Sequence, residues 1–145
     1  MKATEPPVKV KEVFQCSSAV LWQALSNHDQ MLKWYFDTIP EFEAKPGFLT
    51  QFRIQNESRV FTHRWEVVSA IPNSLLSYRW SYEEYPGDSM VHFSLKGSNP
   101  VELEVSMVVV EGFPSNIPEF ERSSCQDGWN YFIKNSLAAH IKSIA

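Results

Sequence analysis

The stretch FTHRWEVVSAIPNSLLSYRWSY, residues 61–82, decides the fold. Large side chains occupy every second position in both of its halves: Phe61, His63, Trp65 and Val67, then Leu76, Tyr78, Trp80 and Tyr82. Strict alternation of this kind is typical of a β-strand that buries one face. Pro72, Asn73 and Ser74 form a turn between the two halves, so the stretch predicts two neighbouring antiparallel strands.

The same two-residue period continues on both sides, over residues 42–111. The further inward positions are Phe48, Thr50, Phe52, Ile54, Val91, Phe93, Leu95, Val101, Leu103, Val105, Met107 and Val109. Turn sequences at residues 85–88 and 97–100 separate the later strands. Short spacing with tight turns predicts an antiparallel meander with one face in water and the other face covered.

A long helix at the C-terminal end is predicted to cover that face. Its apolar positions recur at helical spacing: Trp129, Phe132, Ile133, Leu137, His140, Ile141 and Ile144. Ser123 or Ser124 is expected to cap the helix, which runs to about Ile144. Gly128 disfavours a helix by about 1 kcal/mol relative to alanine, and it therefore predicts a close approach of the helix backbone to another group.

The N-terminal region supplies one strand and two short helices. The strand is Val8–Phe14, and Ser17 or Ser18 is expected to cap the first helix. The second helix is expected at about Gln30–Tyr35. The predicted order is therefore a strand, two short helices, a long meander and one amphipathic helix.

This order predicts a single α+β domain, residues 1–145, with its core at about residues 8–144. A curved antiparallel sheet wraps around the long C-terminal helix, and not every side chain on the concave face needs to contact that helix. The arrangement therefore favours a cavity between sheet and helix. Glu12 faces this interior by phase, whereas a bulge at residues 12–13 would turn it outward, and the sequence leaves both orientations open.

Composition and charge exclude several classes of function. The 145 residues carry a net charge of −4, whereas proteins that bind nucleic acid present basic faces. The longest mostly apolar stretch, residues 105–110, is too short to span a bilayer. No secretory signal is visible, so we expect a cytoplasmic protein.

The sequence predicts no catalytic residue, no metal site and no cofactor. Cys16 and Cys125 lie far apart, and the four histidines are scattered, so neither a disulfide framework nor a zinc ligand set is indicated. Motifs of a nucleophilic serine, a zinc protease and a phosphate-binding loop are also missing.

Several strings resemble a known superfamily: SAVLWQAL at residues 18–25, LKWY at 32–35, EVVSAIPNSLLSYRW at 66–80, VHFSL at 91–95, EGF at 111–113 and DGW at 127–129. Together they resemble the SRPBCC, or START-like helix-grip, superfamily, which includes START lipid-transfer domains, the birch-pollen allergen fold and polyketide cyclases. Within it, the chain is most similar to the family named after the C-terminal domain of the activator of heat-shock protein 90 ATPase. The resemblance implies the helix-grip fold, a small hydrophobic ligand or a chaperone or other protein partner, and a monomer or homodimer.

The aromatic residues define the candidate site. The chain has ten Phe, five Tyr and five Trp, which either fill the interior or line a hollow in it. The predicted ligand-binding residues are Trp34, Phe52, His63, Trp65, Tyr78, Trp80, Tyr82, Trp129 and Phe132. In this reading tyrosine hydroxyls orient the ligand, and His63 is either a paired core histidine or a polar anchor for the ligand.

Three functions follow as alternatives. The first is a non-catalytic domain that binds a small hydrophobic or amphipathic ligand between the sheet and the C-terminal helix. The second is a protein-interaction module related to the chaperone activators. The third is an enzyme of the cyclase or hydrolase kind, in which His63, with a tyrosine or Glu12, supplies acid–base chemistry.

Overall fold

Six antiparallel strands form one sheet in the computed structural model, which describes residues 1–145. The strands are β1 (Val8–Phe14), β2 (Leu49–Asn56), β3 (Arg59–Ile71), β4 (Leu75–Tyr82), β5 (Asp88–Lys96) and β6 (Val101–Glu111). Their order in the sheet is β1-β6-β5-β4-β3-β2, so β1 and β2 are the edges. The meander predicted from the two-residue period is confirmed, and the first strand extends the sheet by pairing with the last strand.

The hairpin of β3 and β4 has the register that the alternation requires. Trp65 lies opposite Trp80, and Val67 lies opposite Tyr78. These four side chains are buried on the concave face of the sheet. The register shifts between Val67 and Ser69, and this bulge ends the alternation because it inserts one extra residue into β3.

Glu12 lies on the inner side of the sheet. The pairing of β1 with β6 is regular from Val8, opposite Met107, to Phe14, opposite Val101. Because no residue is inserted, Glu12 keeps the phase of Val8 and Phe14, and it is half-buried. The alternative with a bulge at residues 12–13 is therefore wrong.

Two short helices follow β1: α1 (Ser18–Ser26) and α2 (His28–Trp34). The Ser17 side chain caps α1 by accepting a hydrogen bond from the main-chain N–H of Val20 (3.1 Å). Asn27 caps α2 in the same way, so this helix starts at His28, two residues earlier than predicted. Tyr35 leaves the helical conformation, which ends α2 at Trp34.

The C-terminal helix comprises residues 122–144 and is not uniform. It consists of α3 (Arg122–Asn130), a π-helical segment (Tyr131–Leu137) and α4 (Ala138–Ile144). The wider turns of the π-helical segment were not predicted, because the apolar pattern alone does not separate them from an α-helix. Such segments are rare and often occur at functional sites.

The start of the C-terminal helix differs from the prediction. Neither Ser123 nor Ser124 caps it, because both lie inside α3, which begins at Arg122 without a side-chain cap. The Ser124 hydroxyl instead donates to the main-chain oxygen of Pro118 (2.9 Å), in the short 3₁₀ turn Pro118–Phe120 that precedes the helix. Ile144, at the other end of the predicted apolar stripe, is 48% exposed.

Side-chain hydrogen bonds hold the C-terminal helix across the sheet. Gln126 and Lys134 donate to the main-chain oxygens of Lys9 and Lys11, at 2.9 and 3.0 Å. These oxygens belong to the edge strand β1, so the helix also covers part of that edge. Ser136 donates to the main-chain oxygen of Trp34, at the end of α2 (2.6 Å). The helix is thereby fixed relative to both the sheet and α2.

Candidate functional site

A cavity of about 410 Å³ lies between the concave face of the sheet and the C-terminal helix. This volume is within the roughly 300–1,000 Å³ that is usual for small-molecule sites. Its walls are mostly aromatic and aliphatic: Met1, Phe36, Ile54, Gln55, Asn56, Phe61, His63, Trp80, Tyr82, Ser89, Met107, Phe113, Glu119, Phe120, Cys125, Gly128, Trp129 and Phe132. The cavity therefore has the apolar character, with a few polar groups, that pockets for small organic ligands share.

Five of the nine predicted ligand-binding residues line this cavity: His63, Trp80, Tyr82, Trp129 and Phe132. The other four are packed elsewhere in the core and do not line it: Trp34, Phe52, Trp65 and Tyr78. Alternation along the strands places the six predicted residues that lie on strands on the concave face: Phe52, His63, Trp65, Tyr78, Trp80 and Tyr82. Only the tertiary structure separates the residues that line the cavity from those that fill the space beside it.

Tyr35 fills that space. Its ring stacks on Trp34, with ring centroids 4.5 Å apart, and on Trp65, at 5.4 Å. Its hydroxyl is hydrogen bonded to the hydroxyl of Tyr78 (2.7 Å). The Tyr78 hydroxyl is thus engaged within the core, and the expectation that it orients a ligand is corrected accordingly. The aromatic residues fill one end of the concave space and line the other.

Phe36 is the most central lining residue that the sequence analysis missed. It is half-buried and lies 5.2 Å from His63, 5.8 Å from Trp80 and 5.1 Å from Phe132, measured between ring centroids. It follows α2 outside any periodic segment, so no pattern assigned it to the interior. The only local signal was the run of aromatic residues Trp34, Tyr35 and Phe36.

Two more lining rings come from the connection between β6 and the C-terminal helix. Phe113 and Phe120 are buried, with ring centroids 5.2 Å apart. This connection contains prolines and has no apolar period, so the sequence showed only an extended segment. The π-helical segment also contributes to the cavity, through Phe132.

Gly128 borders open space rather than another group. A Cβ atom built on it has no atom within 4 Å, and the residue lines the cavity. The predicted close approach of the helix backbone to a neighbour is therefore wrong. Cys125, Gly128, Trp129 and Phe132 all line the cavity, at the spacing of one helix face. A glycine in this face enlarges the cavity because it carries no side chain.

His63 is the central polar group of the site. It is 7% exposed, and its Nδ1 accepts a hydrogen bond from the indole Nε1–H of Trp80 (3.1 Å). Burial lowers the pKa of His63 to about 3, although the charge of Glu84 acts in the opposite direction. The ring is therefore neutral at pH 7, with its proton on Nε2. This Nε2–H has no hydrogen-bond partner within the protein. It is not fully buried, and His63 lines the cavity.

We expect His63 to make the stability of the protein dependent on pH. The folded state binds no proton at His63 between pH 6.5 and 3, whereas the unfolded state does, so stability decreases as the pH falls through this range. Between pH 7 and pH 5 the wild type should lose about 2 kcal/mol more than His63→Asn, since each pH unit contributes about 1.4 kcal/mol. Urea unfolding at pH 7, 6 and 5 measures this difference.

The control is His92→Asn on the outer face of the sheet. Burial also lowers the pKa of His92, but this histidine is less deeply buried than His63. Its substitution should therefore flatten the pH dependence much less. Equal slopes for the wild type and His63→Asn would contradict the assignment of a buried neutral imidazole.

One carboxylate ties two segments together at the edge of the cavity. Glu119, in the 3₁₀ turn, accepts one hydrogen bond from Nε–H of Arg59, shared between its two carboxylate oxygens (2.9 and 3.0 Å), and one from Nδ2 of Asn56 (2.7 Å). Asn56 and Arg59 flank the tip of the β2–β3 hairpin. The charge of Glu119 is thereby balanced, and the hairpin is held against the segment that precedes the C-terminal helix.

No group of three or more His, Cys, Asp or Glu side chains converges in a way that could hold a metal ion. None of the helices is both long enough and apolar enough to cross a membrane.

Comparisons with known proteins agree with this architecture. Protein CV1439 from Chromobacterium violaceum superposes with a TM-score of 0.77 at 18% identity, covering 94% of this chain and 97% of that one. Protein MLL2253 from Mesorhizobium loti superposes with a TM-score of 0.73 at 21% identity, covering 96% of this chain and 98% of that one. DynU16, from the dynemicin biosynthetic locus, matches with a TM-score of 0.73 at 19% identity over 96% of this chain, which spans 48% of the length of DynU16. At these identities the likeness establishes the fold alone.

The family follows from the sequence. No curated protein matches the chain significantly. The family model described as Activator of Hsp90 ATPase homolog 1-like protein matches residues 15–142, which is most of the chain. The resemblance inferred from the strings along the sequence is thus confirmed. With its helix-grip fold, the chain belongs to the Activator of Hsp90 ATPase homolog 1-like family of the SRPBCC superfamily.

Proposed function

We propose that this protein is a non-catalytic domain that binds a small hydrophobic or amphipathic ligand in the cavity between the sheet and the C-terminal helix. The helix-grip fold supports a ligand-binding or interaction domain. The observation that favours ligand binding is the cavity of about 410 Å³ itself, in a core that elsewhere is densely packed with aromatic rings. A concave apolar space of this size with a few polar groups in its wall is the usual setting in which proteins bind small organic ligands.

Intrinsic tryptophan fluorescence tests this proposal, because Trp80 and Trp129 line the cavity. A panel of fatty acids, isoprenoids and aromatic polyketides should include compounds that give a saturable change in emission. Trp129→Phe should remove a large part of that change. Trp22→Phe should leave it intact, because Trp22 is buried but does not line the cavity. If neither fluorescence nor calorimetry detects saturable binding across the panel, the proposal is abandoned.

The enzymatic alternative has less support from the geometry. Glu12 lies on β1 and His63 on β3, three strands separate them in the sheet order, and Glu12 does not line the cavity. The two residues therefore do not form an acid–base pair across neighbouring strands. The low pKa of His63, about 3, also makes it a weak proton acceptor near neutral pH.

The interaction alternative rests on the family relation. The exposed large apolar side chains are spread over both edge strands, the inner strands β3 and β6, and the C-terminal helix. Val13 lies on the edge strand β1, Leu49 on the opposite edge strand β2, and Tyr131 on the helix. Docking sites usually present one contiguous apolar patch, and this distribution does not favour one.

A further inference from the structure

The polar groups that line the cavity are, with few exceptions, already paired within the protein. The Ser89 hydroxyl donates to the main-chain oxygen of Trp80 (2.8 Å), and the Trp80 indole donates to Nδ1 of His63 (3.1 Å). Glu119 is held by Arg59 and Asn56. Two donors in the lining have no partner, the hydroxyl of Tyr82 and the Nε2–H of His63, and of these only the Nε2–H cannot also act as an acceptor. His63 is 7% exposed.

Aromatic rings hold the imidazole of His63 in place in the wall of the cavity. Phe52 stacks on one face of the imidazole, with ring centroids 4.9 Å apart and an interplanar angle of 14°. Tyr82 meets it edge-on at 4.9 Å and supplies the neighbouring polar group. In this apolar setting a single hydrogen bond contributes strongly to selectivity, because a buried donor without an acceptor is unfavourable.

The cavity offers little to balance a negative charge. No lysine or arginine side chain lines it, and Glu119 is its only ionised side chain. The one cationic group on a lining residue, the amino group of Met1, donates to the main-chain oxygen of Phe120 (3.1 Å) and lies at the end of the cavity formed by Phe113 and Phe120, whereas His63 packs against Phe36 and Phe52. A carboxylate held at His63 would lose its hydration without a cationic group beside it, which is strongly unfavourable.

On the basis of the function proposed above, we propose that the cavity selects a neutral ligand with a hydrogen-bond-accepting oxygen, which the Nε2–H of His63 recognises, and that it rejects carboxylates of the same shape. His63 is then the residue that determines specificity, and the aromatic walls supply most of the affinity. Ketones, esters and quinones meet this description, whereas free fatty acids do not.

Three probes with one ring skeleton test the inference: 2-acetylnaphthalene, 2-ethylnaphthalene and 2-naphthoate. Equilibrium dialysis at pH 7.5 gives the dissociation constant of each probe. The naphthoate should bind at least 100-fold more weakly than the ketone. His63→Asn should weaken ketone binding by about 3–10-fold, the usual contribution of one neutral hydrogen bond, and should change the affinity for the ethyl compound less than twofold.

Two variants separate the donor from the packing. The shorter side chain in His63→Asn keeps an acceptor for the Trp80 indole but does not reach a ligand, whereas His63→Gln places an amide N–H near the position of Nε2. The glutamine variant should therefore recover part of the preference for the ketone over the ethyl compound. If the role of His63 is purely structural, its substitution should lower the affinity for all three probes by the same factor.

The outcomes distinguish this inference from the proposed function. If the naphthoate binds within tenfold of the ketone, or if His63→Asn weakens the ketone and the ethyl compound equally, the selectivity inference is overturned while ligand binding in the cavity stands. If none of the three probes binds to the wild-type protein, the selectivity inference fails, and the proposed function fails with it only if the panel of fatty acids, isoprenoids and aromatic polyketides also gives no saturable binding. A preference for the ketone that is lost in His63→Asn and partly restored in His63→Gln supports both.

Discussion

Gly128→Leu is expected to abolish ligand binding and to leave the protein as stable as the wild type or slightly more stable. A side chain at this position meets open space, and the position lines the cavity. Leucine would therefore occupy volume that the ligand needs, and we expect affinity to fall at least 100-fold. Stability should rise by up to about 1 kcal/mol, because glycine is a poor residue inside a helix. Dialysis and urea unfolding measure the two effects.

Two controls make this prediction specific. Gly128→Ala should give a similar gain in stability with a small loss of affinity, since a methyl group takes up little of the cavity. Asp127→Leu introduces the same side chain at the neighbouring exposed position and should not change affinity. A Gly128→Leu variant that binds like the wild type would show that the ligand sits elsewhere.

Gly87→Ala is expected to destabilise the protein by about 2–5 kcal/mol, through two effects. Gly87 lies in the turn between β4 and β5 with φ of +122°, a conformation that other residues rarely adopt. A Cβ atom on it would overlap the ring of Phe113, coming within 2.7 Å of Cε1. Phe113 is buried against Phe120 and lines the cavity, so it cannot move without disturbing the cavity wall. Urea unfolding gives the loss of stability.

Gly47→Ala is the matched control for Gly87→Ala. Gly47 also has a positive φ, +90°, but a Cβ atom there has no neighbour within 4 Å. Its substitution should carry only the backbone strain, about 1–2 kcal/mol. The Phe113→Leu background should reduce the effect of Gly87→Ala, because the smaller side chain relieves the overlap. Equal losses for both alanine variants would contradict the contact between Gly87 and Phe113.

The strands were predictable because a strand that buries one face alternates apolar and polar residues along the sequence. Residues 61–67 and 76–82 alternate, and their inward side chains do lie on the concave face. The same argument identified five lining residues, including His63 and Trp80. It also included Trp65 and Tyr78, since strand phase gives the face of a residue but not its position along the cavity.

The C-terminal helix shows where the local pattern stops being informative. Apolar spacing located the helix and its inward face, with Trp129 and Ile133 buried as expected. It did not reveal the π-helical segment, whose hydrogen bonding leaves no distinct trace in the order of residues. It also could not show that Gly128 faces open space, since that depends on how far the sheet curves away from the helix.

By itself, the sequence determined the order of strands and helices and an interior rich in aromatic residues, because periodicity and composition are local properties of the chain. The family and its helix-grip fold came from the resemblance of short strings along the sequence, which the family match confirms. Only the tertiary structure decided whether those rings fill the interior or line a cavity. The answer depends on segments without any period, such as Tyr35 and Phe36 after α2 and Phe113 and Phe120 before the C-terminal helix, which are brought together from distant parts of the chain. Tyr35 packs one end of the concave space, and Phe36, Phe113 and Phe120 form walls around the volume that remains.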